Sequence, residues 1–246
     1  MLLSIVTVTK NASATVAHAA ESIGQPPDEV EYILKDAGST DGTCEIVRGI
    51  RPDAVVVQSP DRGIYDAMNQ GWAAAHGEYV MFLNADDRYL PGALEEIMRV
   101  LRRTPDTDIL HGCIRVNGRK YSPPQGMSSF RGVRIFHPAA AIRRSLLERL
   151  GGFDIRWPIC ADLDLFLRAK ESGAVFRFID REITDFALGG VSTVRRRDTA
   201  SEVRGILLEH GFGRCFADGY YLAARLRAAA ARAVSLVKGS RSTGNN

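Results

Sequence analysis

No stretch of roughly 20 consecutive apolar residues occurs in this 246-residue chain, so the sequence predicts no membrane-spanning helix. The N-terminus has no basic segment and no small-residue cleavage site. It runs straight into the apolar stretch Leu2 to Val8, so no secretory signal is expected. The four cysteines, Cys44, Cys113, Cys160 and Cys215, never form a C-x-x-C pair, which argues against a structural zinc site. Spaced so widely, they read as buried, reduced thiols of a reducing compartment. No G-x-G-x-x-G follows a strand-like run, which disfavours a dinucleotide-dependent dehydrogenase. There is no internal repeat, and apart from an Ala/Arg-rich segment near residue 230 no biased run. A net charge of only +3 gives no sign of a nucleic-acid partner.

What is present is an ordinary globular composition, 45% hydrophobic and 25% charged, in a chain long enough to bury a sizeable core. The charge is uneven. From Arg195 onward ten Arg and Lys face four Asp and Glu, a net of +6, which leaves the preceding part at −3. A mildly acidic body with a basic tail is the pattern of a tail that meets an anionic surface.

Leu2 to Thr9 and Val30 to Leu34 are apolar, β-branched runs that fit strands buried on both faces. Ala54 to Gln58 and Tyr79 to Leu83 continue the series. Between them lie helical stretches at Ala12 to Ile23, Thr43 to Ile50 and Ile64 to His76, the last closed by Gly77 as a C-cap. Pro91 opens a further helix to about Arg103. The βαβαβαβα order predicts an α/β fold with a doubly wound, mostly parallel sheet. Ligands of such sheets bind outside the carboxyl ends of the strands. The polar clusters Thr9 to Asn11, Asp36 to Asp41 and Asn84 to Asp87 all follow strands and should converge on one crevice. Beyond Thr104 the pattern loosens into a smaller mixed region. Strands are expected at Ile109 to Val116, Ala139 to Ile142, Val175 to Ile179 and Ile183 to Phe186. A hairpin turn falls at Asn117-Gly118, a loop at Ser122 to Gly132, and helices at Ala161 to Ser172 and Asp198 to His210. The division expected is residues 1–195 as one catalytic-type domain, with halves at 1–104 and 105–195, a helical basic segment at 196–238 and a disordered tail at 239–246.

Adjacent carboxylates at Asp86-Asp87, after a buried strand, suit Mg²⁺ or Mn²⁺; an Asp-rich turn before the next helix has the same look. Asp36 at the end of the second strand is placed to accept from a nucleobase N–H, whereas Thr40, Asp41 and Thr43 also serve as helix caps. Asp61 and Arg62 lie at the mouth of the same crevice, and Arg62 suits phosphate. Asn69 sits inside a helix, against propensity, either on a solvated face or bonding a loop. Asp162 opens a helix, as an N-cap or as a general base for an acceptor hydroxyl; Asp164, two residues on, reads as bland surface or a cap.

Together these motifs resemble family 2 glycosyltransferases of the GT-A fold over about residues 2–195. Ser4 to Asn11 resembles the family's first strand, Asp36-Ala37-Gly38-Ser39-Thr40-Asp41-Gly42-Thr43 its D-(D/G)-G-S-T-D-G-T signature, and Leu83-Asn84-Ala85-Asp86-Asp87 its form of the D-x-D motif. Pro60 to Gly71 looks like the D-x-G-I-Y-D-A-M-N-x-G variant of a colanic-acid or glycolipid-type branch, and Gly151-Gly152-Phe153-Asp154 with Ala161-Asp162 like the acceptor half.

The resemblance implies an inverting, metal-dependent transfer from a nucleoside-diphosphate sugar to a saccharide or lipid-linked acceptor. Nucleotide-sugar contacts would come from Thr7, Thr9, Asn11, Asp36, Ser39, Asp61, Arg62, Asn69 and Asp86. The cation, Mn²⁺ or Mg²⁺, would sit on Asp87, with His137 as a ligand or an acceptor contact, and Asp162 would be the base. Gly189-Gly190-Val191-Ser192 resembles a loop that closes over the diphosphate. Ala37 departs from the acidic residue common in the family, so the base contact rests on Asp36. Absence of Q-x-x-R-W argues against a processive synthase. From Gly219 to the end no acidic residue occurs, and Leu222, Leu226, Ala229, Ala233 and Val237 recur at helical spacing beside Arg225, Arg227 and Arg232. That is the pattern of a basic amphipathic helix that either rests on an anionic membrane or packs on the domain's own core, so the expected location is the cytoplasm, or the inner face of the plasma membrane where the helix binds it. A non-catalytic nucleotide-sugar-binding module of the same fold is the alternative. A nucleotidyltransferase is disfavoured because Lys10-Asn11-Ala12-Ser13 offers no glycine for a triphosphate loop.

Overall fold

The computed structural model describes residues 1–24, 29–123, 135–188 and 195–242. It divides into two compact units, Met1–Leu188 and Gly189–Asn246.

The first unit is built on one nine-stranded sheet. Its strands are β1 (Leu3–Thr9), β2 (Val30–Asp36), β3 (Val55–Gln58), β4 (Tyr79–Asn84), β5 (Arg88–Tyr89), β6 (Ile109–Val116), β7 (Arg119–Tyr121), β8 (Ala140–Arg143) and β9 (Phe176–Asp185). They lie in the order β3-β2-β1-β4-β8-β6-β9-β5, with β7 hydrogen-bonded to β6. The half β3-β2-β1-β4 is parallel, β8 is antiparallel to both β4 and β6, and β9 runs parallel to β6. The mixed region expected after residue 104 is therefore continuous with the parallel half. Every residue of β1 is buried, as a central strand covered on both faces requires.

One face packs α1 (Val16–Ser22), α2 (Thr43–Ile50) and α4 (Ala93–Arg103) against Leu3, Ile5, Tyr32, Leu34, Met81 and Leu83. In α4 the buried residues Ala93, Leu94, Ile97, Met98 and Leu101 form one stripe, with Glu95 and Glu96 in the first turn and Arg102 and Arg103 in the last, matching the helix dipole. The other face carries α3 (Ile64–Ala73), which approaches so closely that a Cβ on Gly71 would collide with Val6. The helices α5 (Arg144–Leu150) and α6 (Ala161–Glu171) follow β8.

Several boundaries differ from the sequence reading. The third helix stops at Ala73, and Gly77 is not its C-cap. A Cβ on Gly77 would lie 2.5 Å from Ser4 Oγ and 2.6 Å from Ser4 N, so glycine is there to let β4 enter beside β1. The two strands expected between Val175 and Phe186 are one strand, β9, which crosses a register shift against β6. The first helix starts at Val16 rather than Ala12, and the fourth at Ala93, with Gly92 before it in the left-handed region at φ 74°. The Asn117-Gly118 turn forms as expected, both residues at positive φ (49° and 73°) between paired β6 and β7. Most of the Ser122 to Gly132 loop lies outside the described residues. Cys44, Cys113 and Cys160 are buried, but Cys215 is exposed, contrary to expectation.

The second unit holds α7 (Arg196–Glu209) and α8 (Arg214–Ser242). The last helix runs into the stretch expected as a disordered tail, and residues 243–246 lie outside the described ones. Among the described residues no helix is long and apolar enough to cross a membrane.

Candidate active site

The parallel register brings the polar strand ends together. Thr9 lies beside Asp36, Asp36 beside Gln58, and Val8 beside Asn84. The loops that follow therefore start at one level, at the carboxyl edge of the sheet.

Asp36 is wholly buried, and both its oxygens are occupied. Oδ1 accepts from Thr9 Oγ1 (3.0 Å) and Ser39 Oγ (2.5 Å). Oδ2 accepts from the amides of Gly38 (3.0 Å) and Ser39 (2.9 Å) and from Gln58 Nε2 (3.2 Å). Burial alone would raise its pKa, but these donors, Ser39 first, outweigh it and hold the carboxyl down at about 2. Ser39 Oγ also accepts from the Asn11 amide (2.8 Å), and Asn11 Oδ1 accepts from the Thr40 amide (3.0 Å). Asn11 itself sits at φ 50°. Thr9, Asn11, Asp36 and Ser39 thus lock two loops into one rigid rim. Thr7 does not join them: it is fully buried inside β1, two residues short of the strand end, and its hydroxyl has no partner.

Asp61 is tied to a lysine that sequence reasoning passed over. Lys35, fully buried, donates from Nζ to the carbonyls of Asp36 (3.2 Å) and Ser59 (2.8 Å) and to Asp61 Oδ2 (3.1 Å). A lysine ending an apolar strand was the available signal, since a buried ammonium needs partners for all three protons. Asp61 Oδ1 then accepts from the Gly63 amide ahead of α3 (3.1 Å). Arg62 is largely exposed, at 74% of its side chain, and pairs with Asp66 one turn on. Asn69, expected among the donor contacts, is committed elsewhere. Its Nδ2 donates to the Phe153 carbonyl (2.8 Å), and its Oδ1 accepts from the Phe153 amide (2.9 Å) and the Trp72 indole (3.0 Å).

Of the two adjacent carboxylates, Asp86 is exposed and Asp87 is 1% exposed. Asp87 accepts from Asn84 Nδ2 (3.0 Å) and from the Ala187 amide (2.9 Å). Burial pushes its pKa up to about 7 despite the Ala187 bond; Asp86 adds to the rise, and His137 opposes it.

His137 opens a short 3₁₀ turn, His137–Ala139, fixed by Thr184 Oγ1 donating to the Pro138 carbonyl (2.6 Å). Its Nδ1 lies 3.2 Å from Asp162 Oδ2, while its Nε2 is buried without a partner. Asp162 lies in the first turn of α6, where the positive end of the helix favours a carboxylate, and its Oδ1 accepts from the Leu163 amide (2.9 Å). Asp164, read as surface or cap, is instead 3% exposed and bonded to Arg168 Nε at 2.8 Å. Arg168 also donates to the carbonyls of Leu150 (2.7 Å) and Gly152 (2.8 Å), bracing the turn before α6.

Among the described residues no three His, Cys, Asp or Glu side chains gather into a complete cation cage. Asp87 and His137 nevertheless fit a divalent ion: a desolvated carboxyl and a buried, unpartnered imidazole nitrogen are groups that a cation satisfies. The loop at Gly189 to Ser192 lies outside the described residues.

The model of the family "Glycosyl transferase family 2" matches residues 4–156. A PGL/p-HBAD biosynthesis glycosyltransferase of Mycobacterium bovis is 28% identical over 202 residues, covering 78% of this chain and 79% of that protein. An uncharacterized glycosyltransferase of Mycobacterium tuberculosis is 30% identical over 181 residues, 68% of each chain. Among solved structures, TarS of S. aureus in complex with UDP-GlcNAc superposes with a TM-score of 0.71 at 20% identity, covering 90% of this chain and 70% of that one. A mannosyltransferase from Pyrobaculum calidifontis in complex with GDP-Man and Mn²⁺ gives 0.69 at 20% identity, covering 98% and 79%. At that identity the likeness establishes the shared fold.

Proposed function

The chain belongs to glycosyl transferase family 2 and is a glycosyltransferase; from that premise we propose that it moves a sugar from a nucleoside-diphosphate donor to an acceptor hydroxyl, with inversion at the anomeric carbon. The observation that carries this reading is His137, bonded to Asp162 through Nδ1 and unpartnered at its buried Nε2.

Asp162 takes the proton of the acceptor hydroxyl. The freed oxygen attacks the anomeric carbon from the side opposite the diphosphate, and the bond from that carbon to the phosphate oxygen breaks. His137 Nδ1 holds the Asp162 carboxyl in place for the transfer. Asp86 reaches the ribose from the exposed side of the rim, and the loop of Asn11, Asp36 and Ser39 shapes the base site. Asp36 meets the base only by releasing one of its five present donors. Arg62 and the amide end of α3 face the phosphates. Asp87 and His137 would hold Mn²⁺ or Mg²⁺, which supplies charge neutralisation to the departing diphosphate. The Mn²⁺ and GDP-Man of the Pyrobaculum mannosyltransferase, and the UDP-GlcNAc of TarS, are in keeping with this chemistry.

The Asp61 to Gly71 motif favours the colanic-acid or glycolipid-type branch, and with it a role in cell-surface polysaccharide or glycolipid assembly. A lipid-linked acceptor agrees with α8, where Phe216, Leu222 and Leu226 are 41%, 59% and 62% exposed next to Arg225 and Arg227. Such a helix would rest on an anionic membrane surface on the cytoplasmic side. Changing Leu222 and Leu226 together to Glu should release the protein from anionic liposomes in a sedimentation assay.

The donor reading is tested by thermal unfolding with UDP, GDP or dTDP, with Mn²⁺ or with EDTA, on wild type and Asp87→Ala. A shift for one nucleotide that needs Mn²⁺ and disappears in Asp87→Ala is expected. No shift with any nucleotide would favour a non-catalytic module of the same fold.

A further inference from the structure

We propose that Tyr65 and Asn69 are positioning residues that fasten the segment carrying Asp162 to α3, so that the phosphate-side loop at the start of α3 and the general base are held as one rigid body. The proposal rests on Asp162 being the base.

The two residues lie one helical turn apart and point at the same distant segment. Tyr65, itself buried, donates from its OH to the Ile159 carbonyl at 3.0 Å, three residues before Asp162. The Tyr65 ring lies 5.2 Å from the Phe153 ring, which itself meets Phe82 of β4 edge-on at 5.2 Å. Asn69 pairs with both the N–H and the C=O of Phe153, as a neighbouring strand would. Gly152 stands at φ 71°, and a Cβ there would run into Asn69 Oδ1 and the Trp72 indole, so the turn presses directly on α3. Burial, then the charges of Asp162 and Cys160, keep the Tyr65 phenol far above its ordinary pKa, so it remains a neutral donor next to the base.

The adjacent face of α3 is gripped as firmly. Gln70 Oε1 accepts from Ser59 Oγ (2.5 Å), and Gln70 Nε2 donates to the Pro60 carbonyl (3.1 Å). Asp66 accepts from the Arg62 amide (2.9 Å), and buried Lys35 holds Asp61. One ten-residue helix therefore bonds the Ser59 to Gly63 loop along one face and the Phe153 to Ile159 segment along the adjacent one. The Ile64-Tyr65-Asp66-Ala67-Met68-Asn69 sequence is thereby explained by what it connects rather than by direct donor contact. Misplacement of a reacting group by about 1 Å costs on the order of 100-fold in rate, which is the kind of loss this strut prevents.

The test uses the full chain, with nucleoside-diphosphate release from UDP-glucose, UDP-GlcNAc, GDP-mannose and dTDP-rhamnose in the presence of Mn²⁺ and alkyl glycosides. Donor binding is read separately from the thermal shift with the matching nucleotide. Tyr65→Phe removes one hydroxyl, and Asn69→Gln keeps the amide but lengthens its reach. Each should lower kcat roughly 10- to 100-fold with the nucleotide shift unchanged. Should Tyr65→Phe fail to fold, Asn69→Gln carries the comparison. Wild-type kcat in both variants, or parallel losses of kcat and nucleotide binding, would overturn the proposal. Asp162→Asn run alongside separates the two failures: full turnover there brings down the base assignment, whereas its loss with unimpaired Tyr65→Phe and Asn69→Gln removes only the strut.

Discussion

Replacing Arg168 by Met should destabilise the protein by about 3–5 kcal/mol, the usual cost of removing one partner from a buried ion pair. The Asp164 side chain is 4% exposed and that of Arg168 24%, so water screens the pair little. The loss has two parts. The Asp164 carboxylate, in a nearly dry site, loses the Arg168 guanidinium at 2.8 Å, and the carbonyls of Leu150 and Gly152 lose charged donors at 2.7 and 2.8 Å. Against a typical total of about 5–15 kcal/mol, the variant would sit near the limit of folding at 25 °C. Urea unfolding gives the difference directly, provided the m-value is unchanged. Adding Asp164→Asn to the Arg168→Met background removes the carboxylate charge from that buried site and should recover about 1–2 kcal/mol. A single variant within about 1 kcal/mol of wild type, or a double variant no more stable than the single, would refute the assignment of this pair as the brace of the Gly151 to Phe153 turn.

Acid should weaken the fold through His111, which is 6% exposed against Phe178 and brought down to a pKa of about 4 by burial. Because its folded pKa is lowered, its contribution is whole above pH ~6.5 and is lost as pH falls to about 4, up to about 3 kcal/mol in all. His111→Leu should flatten the urea midpoint between pH 7.5 and 5, and a wild type no more acid-sensitive than the variant would contradict this. Gly77→Ala should cost about 2 kcal/mol or more, since the new methyl lies 2.5–2.6 Å from Ser4 Oγ and N; an unchanged melting temperature would show that β4 can shift away. Gly152→Ala, at φ 71° against Asn69 and Trp72, should lower turnover more than nucleotide binding, measured as in the Tyr65 comparison.

The parallel half of the sheet was legible because its signal is local. Leu2 to Thr9, Val30 to Leu34 and Tyr79 to Leu83 are short apolar runs ended by polar clusters, and parallel pairing in register then carries those clusters to one edge. The Asn117-Gly118 hairpin was legible for the same reason. What failed depends on partners far away in sequence. Gly77 looked like a helix cap until Ser4 was seen beside it, 73 residues away, its hydroxyl taking the Gly77 amide proton. Asn69 finds its partners 84 residues on, at Phe153, which no helical pattern encodes. Asp164 looked like surface because spacing alone does not tell which side of α6 is covered, and Lys35 was passed over because a lysine ordinarily ends in water. The β9 strand reads as two pieces because its exposed middle, Asp180-Arg181, interrupts the apolar pattern where the register against β6 shifts, although the strand itself continues.

The decisive comparison is sugar transfer by wild type and Asp162→Asn with the same donor, alkyl glycoside acceptor and Mn²⁺. If Asp162 is the base, turnover falls by about 10²–10⁴-fold while the nucleotide-dependent thermal shift stays at the wild-type value. Turnover within a few-fold of wild type would mean that the proton leaves by another route and that the contact between His137 and Asp162 has only a structural purpose.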